Sequence, residues 1–196
     1  MITKKMYLVF TIICLFFISS ASAQKISQHH YSLNKKGWPW AIASQNKVSI
    51  LLMGDTNIQG RHQPEHAFQH LMPTLNEASV RFLNLEGPFS PPSEDPAKPD
   101  IPYKEHWRHS EPRMVEALIK AKIDAVGVAN NVTYPRDVLM HSLQVLDSAR
   151  IRHTGGGKNI EEAHKPVIIE KNGVRIGFLQ YTATYWPYNH AAEEGL

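Results

Sequence analysis

The chain has 196 residues, of which 42% are hydrophobic and 20% are charged, and its formal net charge at pH 7 is +3. So small an excess of basic residues does not provide the basic surface that binds nucleic acid, and a nucleic-acid partner is therefore excluded. The single cysteine, Cys14, lies in the first 23 residues. Removal of that segment would exclude disulfides, thiolate metal ligands and a cysteine nucleophile together.

The first 23 residues have the layout of a secretory signal peptide. Lys4 and Lys5 precede an uncharged apolar run, Met6 to Ile18, and the small residues of 21–23 follow it. We predict cleavage after Ala23 and export to the periplasm or the extracellular space. The apolar run is shorter than the roughly 20 residues that cross a bilayer as a helix, and an uncleaved N-terminal membrane anchor is the alternative.

Removal of residues 1–23 leaves 173 residues and lowers the net charge to +1, because Lys4 and Lys5 are lost. Residues 24–46 show no sustained hydrophobic period and are predicted to be a linker or arm. Residues 47–196 are long enough to form one domain with a packed core.

Within residues 47–196, apolar runs typical of strands alternate with helical patterns. The runs end at Gly54, Asn84 and Ala129, and predicted helices lie at 66–76, at 112–122 with Ser110 as N-cap, and from Pro135 onward. This alternation predicts an α/β fold with a parallel sheet. Two further strands, 167–170 and 174–180, flank an Asn-Gly pair that favours a hairpin, so the sheet is predicted to be mixed. Residues 90–102 contain five prolines and are predicted to form a long loop.

Each of the first three predicted strands ends in oxygen-bearing side chains. These are Asp55 after the first, Asn84 and Glu86 after the second, and Asn130 and Asn131 after the third. Because the carboxyl ends of parallel strands share one edge of the sheet, we expect these side chains to converge. Carboxylate and amide oxygens suit Mg²⁺, Mn²⁺ or Ca²⁺. Taken singly, each of these residues is better explained as a turn residue than as a ligand, so the prediction rests on their coincidence at three strand ends.

Four short motifs occur in order between about Val48 and Tyr185. They are Gly54-Asp55, Asn84-Leu85-Glu86-Gly87-Pro88, Ala129-Asn130-Asn131 and Thr154-Gly155-Gly156-Gly157. In this order they resemble the motifs of the CapA family of capsule and poly-gamma-glutamate synthesis proteins. The resemblance implies the N-terminal portion of a metallophosphoesterase-like α/β fold, incomplete at its C-terminus.

The same resemblance implies a set of functional residues and partners. Asp55, Glu86 and Asn131 match metal-facing positions, and Asn130 and Asn131 are the candidate catalytic residues. A divalent ion (Mn, Mg or Ca) would be the cofactor. The partners would be an anionic polymer or its precursor and the membrane-associated capsule synthesis machinery.

Two departures from the family pattern bear on catalysis. Val132 stands where the family continues with histidine, and a valine cannot transfer a proton or bind a metal. The acidic residue expected soon afterwards is absent or displaced to Asp137, and the family's late Gly-His motif would lie beyond Leu196. The open alternatives are a metal-dependent hydrolase, a non-catalytic protein that binds an anionic polymer, and an inactive truncated fragment.

Two groups of histidines lie outside these motifs. His62, His66 and His70 are spaced to share one helix face, and we expect that face to be solvated because no carboxylate motif lies between them. His106 and His109 are expected to be exposed on a loop.

Overall fold

The computed structural model describes residues 47–101, 104–133 and 135–183. The predicted signal peptide and arm lie outside the described residues. No helix in the described ranges is long and apolar enough to cross a membrane.

Six strands and four α-helices form the described part of the chain. In chain order they are β1 (Ile50–Thr56), α1 (Met72–Glu77), β2 (Val80–Leu85), α2 (Val115–Lys120), β3 (Ala125–Gly127), α3 (Arg136–Ser148), β4 (Arg152–Thr154), α4 (Ile160–Ala163), β5 (Val167–Lys171) and β6 (Val174–Phe178). Short 3-10 helices at Pro64–His66 and Pro112–Met114 precede α1 and α2.

Strands β1 to β4 form one parallel sheet in the order β1-β2-β3-β4. Helices alternate with these strands along the chain, which confirms the predicted α/β class. The main core joins the sheet to the helices, with Leu83 of β2, Val126 of β3 and Leu143 of α3 all buried in it. Because side chains alternate along a strand, the neighbouring residues of β2 face the opposite side of the sheet.

That opposite side is covered by β5 and β6, an antiparallel hairpin. Its turn, Asn172-Gly173, has positive φ at both residues (50° and 74°), as the Asn-Gly pair predicted. Phe178 of β6 stacks on Phe82 of β2 with ring centroids 4.7 Å apart. The hairpin therefore lies against the same face as Phe82.

Some element boundaries differ from those that the sequence predicted. β1 continues through Gly54 and Asp55 to Thr56, because a strand can absorb an extra residue as a bulge. The strand β4 was not predicted, since Arg152–Thr154 contains no apolar run. The Asn159 side chain caps the equally short α4 by accepting from Glu162 N.

The predicted cap of α2 is wrong. Ser110 is buried and pairs through its backbone with Phe89, while Glu111 and Met114 are the cap residues of the 3-10 helix and of α2.

The prediction that His62, His66 and His70 share one helix face is also wrong. Only Pro64–His66 of that stretch is helical, as a 3-10 turn, and α1 begins after His70. All three histidines are exposed, and His62 instead pairs with Glu111 at 3.2 Å.

Arg81 is the buried cation that joins α1 to the strands. Its guanidinium contacts Asp124 at 3.1 Å and donates to the carbonyls of Leu75 and Ala78, both at 2.6 Å. Because the buried charge has a carboxylate and several carbonyls as partners, its desolvation is compensated.

Candidate functional site

The carboxyl ends of β1 and β2 place Asp55 beside Asn84. The two strands pair residue for residue up to Met53 and Leu83, and the register then shifts so that Asp55 rather than Gly54 lies opposite Asn84. One extra residue in β1 therefore forms a bulge that brings a carboxylate next to an amide.

Asn84 is the centre of a group of hydrogen-bonded side chains, which we call the strand-end network. Its Nδ2 donates to Asp55 Oδ1 at 2.5 Å. Its Oδ1 accepts from Asn130 Nδ2 at 3.2 Å and from Gln180 Nε2 at 2.7 Å. The network therefore consists of Asp55, Asn84, Asn130 and Gln180, and it joins the ends of β1 and β2 to the segments that follow β3 and β6.

Asn130 is buried, and both Nδ2 and Oδ1 of its side chain form hydrogen bonds. Besides its bond to Asn84, its Nδ2 donates to Leu85 O at 2.8 Å. Its Oδ1 accepts from Val132 N at 3.1 Å and lies 2.8 Å from Thr133 Oγ1. These bonds close the turn after β3 and give Asn130 a positioning role; its predicted catalytic role stays a prediction.

Gln180 is a site residue that lies outside the four motifs and was not predicted. Its Oε1 accepts from Ala129 N at 3.2 Å while its Nε2 donates to Asn84. The available signal was that the predicted strand 174–180 also ended in an amide side chain.

Glu86 and Asn131 lie next to the network in sequence, with Glu86 half-buried and Asn131 exposed. The backbone N of Glu86 donates to Thr56 O at 3.1 Å, which ties this position to the end of β1. Neither side chain takes part in the three hydrogen bonds that define the network. The structure thus brings Asp55, Asn84 and Asn130 into contact, whereas ligation by Glu86 and Asn131 stays a prediction.

We call the three residues Asp55, Glu86 and Asn131 the rim. Their side-chain oxygens are ligands of the kind that a hard cation prefers. Asp55 is exposed, and only its Oδ1 accepts a hydrogen bond from the network. Two carboxylates and an amide oxygen are the types of ligand found in Mg²⁺ sites that retain several waters. Among the described residues, no group of three or more His, Cys, Asp or Glu could hold a metal ion. Binding of Mg²⁺, Mn²⁺ or Ca²⁺ at the rim stays a prediction.

The residue after Asn131 belongs to a small apolar cluster. Val132 is fully buried and packs with Ile101 and Trp107 of the proline-rich loop, residues 90–110. Trp107 also approaches Gly87, where an added β-carbon would lie 3.3 Å from Cζ2. The loop therefore packs onto the segments that carry Glu86 and Asn131, and Val132 serves that packing.

The proline-rich loop is held together by Arg108 and Asp100. The Arg108 guanidinium donates to the carbonyls of Ser93, Asp95 and Lys98. The Asp100 carboxylate accepts from the backbone N of Ser93 at 2.6 Å and of His109 at 2.7 Å. These bonds give a fixed shape to a segment that has no strand or helix of its own across residues 90–101.

One loop histidine was predicted wrongly. His106 is exposed, as expected, but His109 is only 5% exposed, and its Nδ1 has no hydrogen-bond partner among the described residues. Burial lowers the pKa of His109, and Arg108 lowers it further, although Asp100 and Asp137 act in the opposite direction.

The glycines of the fourth motif are explained by packing. A β-carbon at Gly155 would lie 2.6 Å from Ala129 Cβ, and one at Gly156 would lie 2.7 Å from Val128 Cγ2. This motif therefore allows the segment after β4 to lie against the segment that leads to Asn130.

The family comparison agrees with this architecture. A model described as bacterial capsule synthesis protein PGA_cap matches residues 24–195, which confirms the resemblance seen in the motifs. A search of the curated proteins gives no match. The family supports a role in capsule synthesis. The chain belongs to the PGA_cap family of bacterial capsule synthesis proteins.

Proposed function

We propose that this chain is an exported, metal-dependent, hydrolase-like protein of capsule or poly-gamma-glutamate synthesis and processing. The observation that carries the proposal is the Asp55 carboxylate, which Asn84 holds at 2.5 Å through one oxygen. The side chain is exposed at the end of a parallel strand, where α/β folds bind ligands.

In this proposal the residues of the rim have separate tasks. Asp55 and Glu86 would hold the divalent ion, and Asn131 would ligate it or orient the substrate. Asn84 and Asn130 keep the strand ends in register through their hydrogen bonds. A bound divalent ion would neutralise negative charge and polarise a phosphoryl or carbonyl oxygen.

The charge of the rim supports the need for a cation. Asp55 and Glu86 are both acidic, and two carboxylates repel an anionic polymer or precursor when no cation lies between them. The proposed partners are that polymer and the membrane-associated machinery that makes it.

A non-catalytic polymer-binding protein is the second candidate, and Val132 favours it. This residue follows Asn131 and is fully buried against Ile101 and Trp107. Because the valine side chain carries no ionisable proton, no side-chain general acid acts from this position. The same rim would then hold an anionic polymer through the cation without cleaving it.

Cation binding is tested by the thermal unfolding of the full chain during titration with Mn²⁺, Mg²⁺ or Ca²⁺. A ligand present at 100 times its Kd stabilises the native state by about 2.7 kcal/mol, so Tm should rise. Asp55→Ala should abolish the rise. Asp147→Ala is the matched control, because Asp147 is exposed on α3 and pairs with His153. No rise in the unsubstituted chain with any of the three ions would refute the cation site.

The two candidates are separated by incubating the Mn²⁺-loaded chain with poly-gamma-glutamate and measuring polymer length by size-exclusion chromatography. Shortening that Asp55→Ala abolishes supports the hydrolase. Co-elution of chain and polymer without shortening supports the binding protein.

Export is tested on protein recovered from the producing cells. Intact mass should place the N-terminus at Gln24, in agreement with cleavage after Ala23. An intact N-terminus in the membrane fraction would instead support the uncleaved anchor.

A further inference from the structure

The Gln180 side chain lies over β3 and reaches the strand-end network from the hairpin. A β-carbon at Gly127 would lie 1.7 Å from Gln180 Oε1 and 3.1 Å from Phe82 Cζ. Gly127 therefore leaves the space through which the Gln180 amide reaches Asn84. Two residues before Gln180, the Phe178 ring stacks on Phe82 and fixes the hairpin on this face.

The hydrogen bonds through Gln180 all run in one direction. Ala129 N donates to Gln180 Oε1, Gln180 Nε2 donates to Asn84 Oδ1, and Asn84 Nδ2 donates to Asp55 Oδ1. The first group is a backbone N–H, which can only donate, and the last is a carboxylate, which accepts when ionised. The two ends therefore impose the same orientation on both amides between them.

Reversal of the Asn84 amide alone would create unfavourable contacts on both sides. Its oxygen would face the Asp55 carboxylate at the 2.5 Å position, and its NH₂ would face the donors of Gln180 and Asn130. Aligned hydrogen bonds also polarise one another, which strengthens each of them.

We propose that Gln180 is a positioning residue that sets the orientation of Asn84 and thereby holds the Asp55 carboxylate in place for the cation. The segment after β6 thus controls the geometry of a residue on β1. Its effect on cation binding rests on the proposed function, whereas its effect on Asn84 does not. Partners that orient metal ligands typically change metal affinity by about 10- to 100-fold when they are replaced.

The test is Gln180→Glu in the full chain, which keeps the acceptor for Ala129 N but removes the donor to Asn84 when ionised. Gln144→Glu is the matched control, because Gln144 is an exposed glutamine on α3. The first measurement is the position of the Asn84 side-chain NH₂ signals in ¹⁵N–¹H NMR spectra, assigned by their loss in Asn84→Asp. We expect these signals to shift in Gln180→Glu and to keep their positions in the control.

The second measurement is Mn²⁺ affinity by isothermal titration calorimetry, where we expect a loss of about tenfold or more in Gln180→Glu. Unshifted Asn84 signals would overturn the inference, and shifted signals with unchanged Mn²⁺ affinity would overturn the link to Asp55. If the unsubstituted chain binds no Mn²⁺, the proposed function fails while the NMR signals still decide the role of Gln180. Should Gln180→Glu not fold, Gln180→Met keeps the length of the side chain without its hydrogen bonds and is measured in the same way.

Discussion

The side chain of Gln180 crosses the backbone of Gly127 so closely that a β-carbon at residue 127 would lie 1.7 Å from Oε1. The Gln180 side chain therefore occupies the space that a side chain at residue 127 would need. This relationship explains why β3 contains a glycine where a β-branched residue would favour the strand.

Gly127→Ala should therefore destabilise the protein and displace Gln180. Inserting a methyl group into a packed region typically costs about 1–3 kcal/mol, and urea unfolding measures the loss. Gly54→Ala is the matched control, since a β-carbon there meets no atom within 4 Å. Equal stabilities for the two variants would contradict the close approach of Gln180.

Arg81→Met should destabilise the protein strongly. The substitution removes the guanidinium from Asp124 and from the carbonyls of Leu75 and Ala78, while the backbone N of residue 81 still donates to Asp124. Loss of one partner of a buried pair costs about 3 kcal/mol or more. Arg113→Met is the control, because the pair of Arg113 with Glu111 is exposed. Urea unfolding should show that this substitution changes the free energy of unfolding by no more than about 1 kcal/mol. A similar small change for Arg81→Met would disprove the structural role of Arg81.

Ser142→Ala should loosen the segment that leads into the proline-rich loop. Ser142 Oγ on α3 accepts from the buried backbone N of Phe89 at 2.9 Å. An unpaired buried N–H costs about 1–3 kcal/mol, so thermal unfolding should occur at a lower temperature. Ser148→Ala provides the comparison, because that exposed hydroxyl donates to Gln144 O within α3. Hydrogen exchange should also accelerate at Phe89 N in Ser142→Ala alone.

His109 should make the protein less stable as pH falls below its usual pKa of about 6.5. Burial lowers the pKa of His109 in the folded state, so below pH 6.5 the unfolded chain binds a proton that the folded chain does not. Stability therefore rises with pH in this window, by at most about 1.4 kcal/mol per pH unit for one proton, and levels off above it. Urea unfolding from pH 5 to 8 should give a flatter profile for His109→Gln.

His141→Gln is the control for that profile, because His141 is exposed on α3. The charged groups that act on the pKa of His109 are Asp100, Arg108 and Asp137, and all three are kept in both variants. An unchanged profile in His109→Gln would assign the pH dependence to another group.

Much of the fold was predictable because local patterns agree with the final structure. The apolar runs before Gly54 and Asn84 form β1 and β2, and the Asn172-Gly173 pair forms the predicted hairpin. β4 escaped prediction because three polar residues gain their strand conformation only by pairing with β3.

The approach of three strand-end side chains was predictable, but their hydrogen bonds were not. Asp55, Asn84 and Asn130 come together as expected from three parallel strand ends. The bulge at Gly54 depends on the register between β1 and β2, which local sequence does not specify. The bond between Gln180 and Asn84 depends on how the hairpin packs on the sheet.

By itself, the sequence determined the α/β alternation, the placement of oxygen-bearing residues at strand ends and the family likeness. Those features follow from hydrophobic periodicity and short motifs, which are properties of neighbouring residues. Only the tertiary structure decided that Asn130 closes a turn, that Val132 packs beneath the proline-rich loop and that Gln180 orients Asn84. The reason is physical: the orientation of a polar side chain depends on which donors and acceptors surround it, and here those partners are up to 96 residues apart.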